Sequence, residues 1–256
     1  MQKYTLITGA SQGIGLELAK QFITGGENLI LVSRNIDKLE KAKDELQSLN
    51  GDIDIRIYAY DLTEKDSPKK LFQDIKNDSL KVNILVNNAG FGGNGKFHKR
   101  DSKEINGMMD LNMSALVNLT HLFLPEMIKN KDGKILNVSS TAGFLPGPNM
   151  AVYYATKAFV NSFSQAISEE VIGKGITVTA LCPGPVKTGF AERGGLEESF
   201  LFKFAVSPEG VAKKGYKATM KGKSLIISNL MLSIFFKILP LMPRNIVNKI
   251  SGKIVE

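Results

Sequence analysis

The chain has 256 residues, 43% apolar and 23% charged, with 24 Gly and 9 Pro; this globular composition excludes disordered, collagenous and fibrous proteins. One Cys and two His exclude an intrachain disulfide and leave no zinc-ligand spacing, so no metal is expected. The net charge of +8 could suit nucleic acid, but only five of the 33 basic residues are Arg and the Lys are scattered without aromatic interleaving. Solvated helix faces explain that charge better, and no nucleic-acid partner is expected.

Met1-Gln2-Lys3-Tyr4 runs straight into a strand with no signal peptide ahead of it, and a cytoplasmic protein is expected. Apolar, β-branched runs at Tyr4–Thr8, Asn28–Ser33, Ile53–Tyr60, Val82–Asn87, Gly133–Ser139 and Ile176–Cys182 predict strands. They are mostly apolar on both faces and are followed by Gly, Asn, Asp, Ser or Pro, as buried parallel strands are. Helical patterns separate them at Gly13–Thr24, Ile36–Gln47, Asp66–Lys76, Lys103–Lys129 and Val152–Gly173. This alternation predicts an α/β fold of Rossmann type in one domain, a doubly wound parallel sheet of six to seven strands with helices on both faces.

Past residue 189 the rhythm fails. Gly189–Phe204 reads as a loop or short helix carrying Phe190, Phe200, Phe202 and Phe204, followed by Ser207 as cap and Pro208 at the first position of a new helix. Ser224–Ser228 is a candidate seventh strand, and residues 224–256 form an apolar, helical extension broken by Pro240 and Pro243. Its 18-residue run Leu225–Met242 is near the lower limit for a membrane span, yet Asn229, Lys237 and Pro240 interrupt it. A lid or subunit interface is favoured there, with peripheral membrane contact as the alternative.

Thr8-Gly9-Ala10-Ser11-Gln12-Gly13-Ile14-Gly15 links the first strand to the first helix, the setting in which Gly lets backbone approach a pyrophosphate at a helix N-terminus. Tyr153 and Lys157 are four apart and share one helix face. A nearby ammonium favours phenolate, moving a Tyr whose free pKa is about 10 toward the range of effective proton transfer. Tyr154 has Ala158 in the corresponding place and no such partner.

The loop resembles that of the short-chain dehydrogenase/reductases, and further matches follow in order: Asn87-Asn88-Ala89-Gly90 ending the fourth strand, Asn112, Ser140 thirteen residues before Tyr153, Tyr153-Tyr154-Ala155-Thr156-Lys157, and Pro183-Gly184-Pro185-Val186-Lys187-Thr188. The resemblance covers about residues 4 to 190 and implies a hydride-transferring oxidoreductase, a homodimer or homotetramer. It is similar to the branch of hydroxysteroid and long-chain ketoacyl reductases. It implies that Tyr153 is the acid/base, Ser140 polarises the carbonyl, Lys157 lowers the Tyr153 pKa and holds the nicotinamide ribose, and Asn112 completes a proton relay. It further implies that Asp61 and Leu62 bracket the adenine, Asn87 with the Ala89-Gly90 backbone holds the adenosine ribose, and Val186 and Thr188 meet the carboxamide.

An NAD enzyme of this fold needs a carboxylate at the end of the second strand, where this chain carries Ser33 and Arg34. These can bond and neutralise a 2′-phosphate, so NADP(H) is expected, although Gln12 stands where many NADP-preferring relatives carry a second basic residue. The resemblance implies that residues 189–223 are the substrate-loop region, and its Phe residues suggest an apolar small-molecule carbonyl or alcohol substrate. A 3-ketoacyl-carrier-protein reductase, or a non-catalytic cofactor-binding scaffold, are the alternatives.

Overall fold

Leu6 and Ile7, then Leu29, Ile30, Leu31 and Val32, are all fully buried, so neither face of the strands that carry them meets water. Only a sheet covered on both sides accommodates such runs. The computed structural model describes residues 2–194, 202, 204–239, 242–243, 247–248 and 251. Its strands are β1 (Lys3–Thr8), β2 (Asn28–Ser33), β3 (Ile55–Ala59), β4 (Lys81–Asn87), β5 (Gly133–Val138), β6 (Ile176–Cys182) and β7 (Leu225–Ile227), in the order β3-β2-β1-β4-β5-β6-β7. All pairings are parallel.

The main helices are α1 (Gly13–Thr24), α2 (Ile36–Leu49), α3 (Ser67–Asn77), α4 (Ser102–Met109), α5 (Leu116–Asn130) and α6 (Ala151–Glu170), followed by α7 (Gly189–Gly194), α8 (Pro208–Met220) and α9 (Leu230–Ile238). Strand alternation sorts the core into two halves. Ile7, Leu29 and Leu31 pack against Leu18 and Phe22 of α1, Leu39 and Leu46 of α2 and Val211 of α8. Leu6, Ile30 and Val32 pack on the opposite face with Leu71 and Ile75 of α3 and Leu119, Phe123 and Met127 of α5. Full burial of each such side chain contributes about 1.5–3 kcal/mol. A one-residue register slip would exchange the two halves.

Three elements depart most from the sequence reading. β3 spans Ile55–Ala59 rather than residues 53–60, because the Asp54 N–H is taken by the Asn28 side chain (3.0 Å). α6 stops at Glu170, and Gly173 (φ +74°) turns the chain before residue 175. The stretch expected as one helix over 103–129 is α4 and α5 joined by a π-helical turn, Asp110–Ala115. The expected seventh strand and the Ser207-Pro208 helix start are present; Ser207 Oγ accepts a hydrogen bond from Glu209 N (3.3 Å).

β1 and β4 are sheet neighbours from which the chain winds in opposite directions, so the carboxyl ends of these strands open a crevice. Every residue of the site lies at or near that edge.

Candidate active site

Thr8 ends β1 with its Oγ1 donating to Val86 O (3.3 Å) and accepting from the backbone N of Asn88 and Ala89 (3.0 Å each). Asn88 Nδ2 in turn donates to Thr8 O (2.9 Å) and Gly9 O (3.2 Å), which ties the Gly-rich loop to the end of β4. Gly9 and Gly13 have φ of +65° and +60°, a conformation that costs L-residues with a Cβ. A Cβ on Gly15 would lie 2.2 Å from Gly9 O, so α1 can approach the loop only because residue 15 is Gly. Gln12 starts α1 with extended backbone and makes no side-chain cap, leaving the first-turn amides to an anion. Gly15→Ala should cost about 1–3 kcal/mol of stability and weaken dinucleotide binding, read by thermal unfolding and cofactor titration. An unchanged Tm and affinity would show that the loop shifts freely.

Ser140 follows β5 with extended backbone; its Oγ accepts from Ala142 N (3.1 Å) and donates to Pro183 O (3.5 Å). Ser139 is turned the other way, donating to Lys157 O (3.0 Å) across to α6. Tyr153 and Lys157 lie on the buried face of α6, and Lys157 Nζ donates to Val138 O (2.9 Å) while sitting 5.9 Å from the Tyr153 ring centroid. Asn112 occupies the π turn. Its Oδ1 accepts from Phe91 N (3.0 Å), and its Nδ2 donates to Phe91 O (2.9 Å) and Thr156 Oγ1 (3.1 Å).

The electrostatics correct one expectation. Burial pushes the Tyr153 hydroxyl up to about 12, against a smaller lowering by Ser140, and Lys157 does not reverse it. The Lys157 ammonium is held at the Val138 carbonyl and faces the ring. Burial brings Lys157 itself down to about 8.

These groups line a single cleft of about 710 Å³. Gly9, Ser11, Gln12, Gly13 and Ile14 form its floor, and Ser33, Arg34, Asp61 and Leu62 one end. Ala89, Gly90, Ser140, Tyr153, Lys157, Pro183, Val186 and Thr188 lie toward the other. Three expected site residues stand behind the wall. Gly15 serves helix packing, Asn112 pins the turn at Phe91, and Asn87 is directed into a buried network, donating to Thr120 Oγ1 (3.2 Å) and Asn137 Oδ1 (2.9 Å). Asn88, not Asn87, is on the wall. The sequence reading also missed Asn35, Lys38, Tyr60, Phe91, Leu111, Met150 and Glu192; only Lys38 gave a signal, as a second cation four residues after Arg34. Phe190 and Phe202 line the cleft, Phe204 is exposed away from it, and Phe200 lies outside the described residues.

The loop, the uncapped helix start and the cleft volume of about 710 Å³ fit a nicotinamide dinucleotide. The family model for short chain dehydrogenases matches residues 3–198. The chain belongs to the short-chain dehydrogenase family. It is 33% identical over 235 residues to a serine 3-dehydrogenase of Agrobacterium fabrum, covering 89% of this chain and 92% of that one. It is 32% identical over 194 residues to the human very-long-chain 3-oxoacyl-CoA reductase, covering 74% and 61%. A short-chain dehydrogenase from Sphingobium yanoikuyae, solved in complex with NADPH, superposes with a TM-score of 0.84 at 28% identity, covering 94% of this chain and 92% of that one. This short-chain dehydrogenase is an oxidoreductase, and its solved structural neighbours include complexes with NADPH and NADP.

Proposed function

We propose that this short-chain dehydrogenase is an NADP(H)-dependent oxidoreductase of apolar ketones, aldehydes or the corresponding alcohols. The observation that carries the reading is the convergence of Tyr153, Ser140 and Lys157 on one cleft with the Gly-rich loop, Ser33 and Arg34. When bound, NADP(H) supplies or accepts a hydride at its nicotinamide ring.

The residues do the rest. In reduction Tyr153, protonated at neutral pH because burial holds it near 12, donates its proton to the substrate oxygen. Ser140 Oγ turns from Pro183 O to donate to that oxygen as negative charge develops there. Lys157 holds the nicotinamide ribose, and its charge favours the phenolate that Tyr153 leaves behind. Asn112 fixes the Gly90-Phe91 turn beside Lys157 and contributes to proton return.

The substrate end is walled by Phe91, Ala142, Met150, Tyr154, Phe190 and Phe202, which pack together around Tyr153. Among the described lining residues the only cation near it is Lys157. Such a wall favours an apolar molecule over a small anion. A screen of NADPH oxidation against ketones, aldehydes and ketoacyl thioesters tests the reading. Turnover of apolar ketones or aldehydes supports it, and activity confined to carrier-bound ketoacyl thioesters would assign a ketoacyl reductase instead.

α9 packs behind that wall. Asn229 caps α9, and Leu232 packs where a Cβ on Gly184 would come within 2.9 Å of it. Phe236 and Leu239 bury against Cys182 and Ile227, while Leu230, Met231, Ile234 and Ile238 are exposed. No helix among the described residues is long and apolar enough to cross a membrane. We read the inner face as a lid over the substrate end and the outer face as a subunit contact. Deleting residues 229–256 is expected to cause aggregation or a raised KM, followed by light scattering and kinetics; a soluble, fully active truncation would refute this.

A further inference from the structure

The adenosine end of the cleft carries a charge pattern that the sequence reading did not anticipate. Arg34 Nη1 lies 3.4 Å from Asp61 Oδ2, an ion pair that ties the end of β2 to the segment after β3. Both residues line the cleft. Thr63 holds the Asp61 carboxylate in place, with its N at 3.0 Å and its Oγ1 at 2.7 Å from Oδ1. The pair is formally neutral, whereas a phosphate monoester carries about −1.5 to −2 at pH 7. Gln12, on the floor of the same cleft, brings no charge.

One more cation reaches this end. Lys38 lines the cleft from the first turn of α2, and Arg34 lines it from the bend just before that helix. Asn35 Oδ1 accepts a hydrogen bond from Lys38 N (2.8 Å), so the cap that starts α2 also fixes the root of the Lys38 side chain. Lys38 is exposed, and no carboxylate among the described residues forms an ion pair with it. The neighbouring acid, Asp37, is not on the cleft wall.

We infer that the 2′-phosphate of the cofactor is held by a two-cation site, Arg34 and Lys38, in which Asp61 is the counter-ion of Arg34 and Lys38 supplies the uncompensated charge. The inference rests on the NADP(H) reading above and adds two specificity-determining residues to it. Arg34 offers a planar fork for two phosphate oxygens, and Lys38 acts as a mobile point charge. Asp61 sets the position of the fork and attenuates its charge.

Calorimetric titration of the full-length protein with adenosine 2′,5′-bisphosphate and with ADP tests this without turnover. Lys38→Met should weaken the bisphosphate and NADPH about tenfold and leave ADP and NADH within twofold of wild type. Lys38→Arg should restore most of the loss, which a merely structural role at the start of α2 would not require. Asp61→Asn should raise the ratio of bisphosphate to ADP affinity. An unchanged ratio in Lys38→Met, with wild type still preferring NADPH, would overturn the role of Lys38 and leave the cofactor reading standing. A lowered ratio in Asp61→Asn would overturn the counter-ion role. Wild type binding NADH as tightly as NADPH would overturn both the inference and the reading beneath it.

Discussion

Replacing Tyr153 with Phe is expected to lower turnover by about 10²–10⁴-fold while leaving NADPH affinity nearly intact, since general acid catalysis is typically of that size. The ring would still fill its place against Phe190 (centroids 5.2 Å apart) and Tyr154 (6.1 Å), so the loss isolates the hydroxyl. Tyr154→Phe is the matched control. Tyr154 lines the same cleft and burial likewise pushes its hydroxyl up to about 12, but residue 158 is Ala158 and offers no ammonium. Steady-state kinetics with a cofactor titration on each variant checks the pair. Exchanged phenotypes would assign the proton to Tyr154 and overturn the Tyr-to-Lys spacing rule. The pH profile adds a second reading: Lys157 loses its charge as pH rises through about 8, so the reductive rate should decline there.

Arg34→Ala should weaken NADPH by about 10–100-fold, because a hydrogen bond to a charged group contributes about 1.5–3 kcal/mol and each 1.4 kcal/mol is tenfold. The upper end is expected, since the substitution also leaves Asp61 facing the phosphate without its cation. NADH carries no 2′-phosphate and should hardly respond. Ser33→Asp should go further by adding repulsion toward the phosphate and an acceptor for a free 2′-hydroxyl. Paired titrations of both cofactors at one fixed salt concentration decide it. Equal weakening of NADPH and NADH by Arg34→Ala would reduce Arg34 to a surface cation.

Much of this arrangement was legible before any coordinates. Strands buried on both faces announce themselves as unbroken apolar runs, and the spacing of Gly9, Gly13 and Gly15 predicts a loop tight enough for a phosphate. Periodicity placed Tyr153 and Lys157 on one face because α6 is regular through that stretch. What stayed hidden depended on direction rather than residue type. Asn87 and Asn88 are adjacent and chemically identical, yet the first pairs in register with Asn137 inside the sheet and the second leaves the strand to staple the Gly-rich loop. The damping of Arg34 by Asp61 spans 27 residues of sequence and arises only because β2 and β3 are neighbours. The Tyr153 acidity was hidden for a different reason: spacing sets which face Tyr153 and Lys157 share, not how completely the fold buries the hydroxyl.

The turn that carries Asn112 has a consequence for how this enzyme can change. Residues 110–115 form a π-helical turn, wider than the α-helix on either side of it. Such a turn is one residue longer than a regular helix needs, and the extra residue is what rotates Asn112 into the backbone of Phe91. Removing any single residue there other than Asn112 would let α4 and α5 join as an ordinary helix, with every flanking side chain preserved in type. Asn112 would then swing by about 100° relative to one flank, the rotation of one helical step, and lose Phe91. Chain length in this stretch is therefore constrained more tightly than composition: several substitutions among its non-contacting positions can be absorbed, whereas one deletion would yield a well-folded helix and a misaligned enzyme.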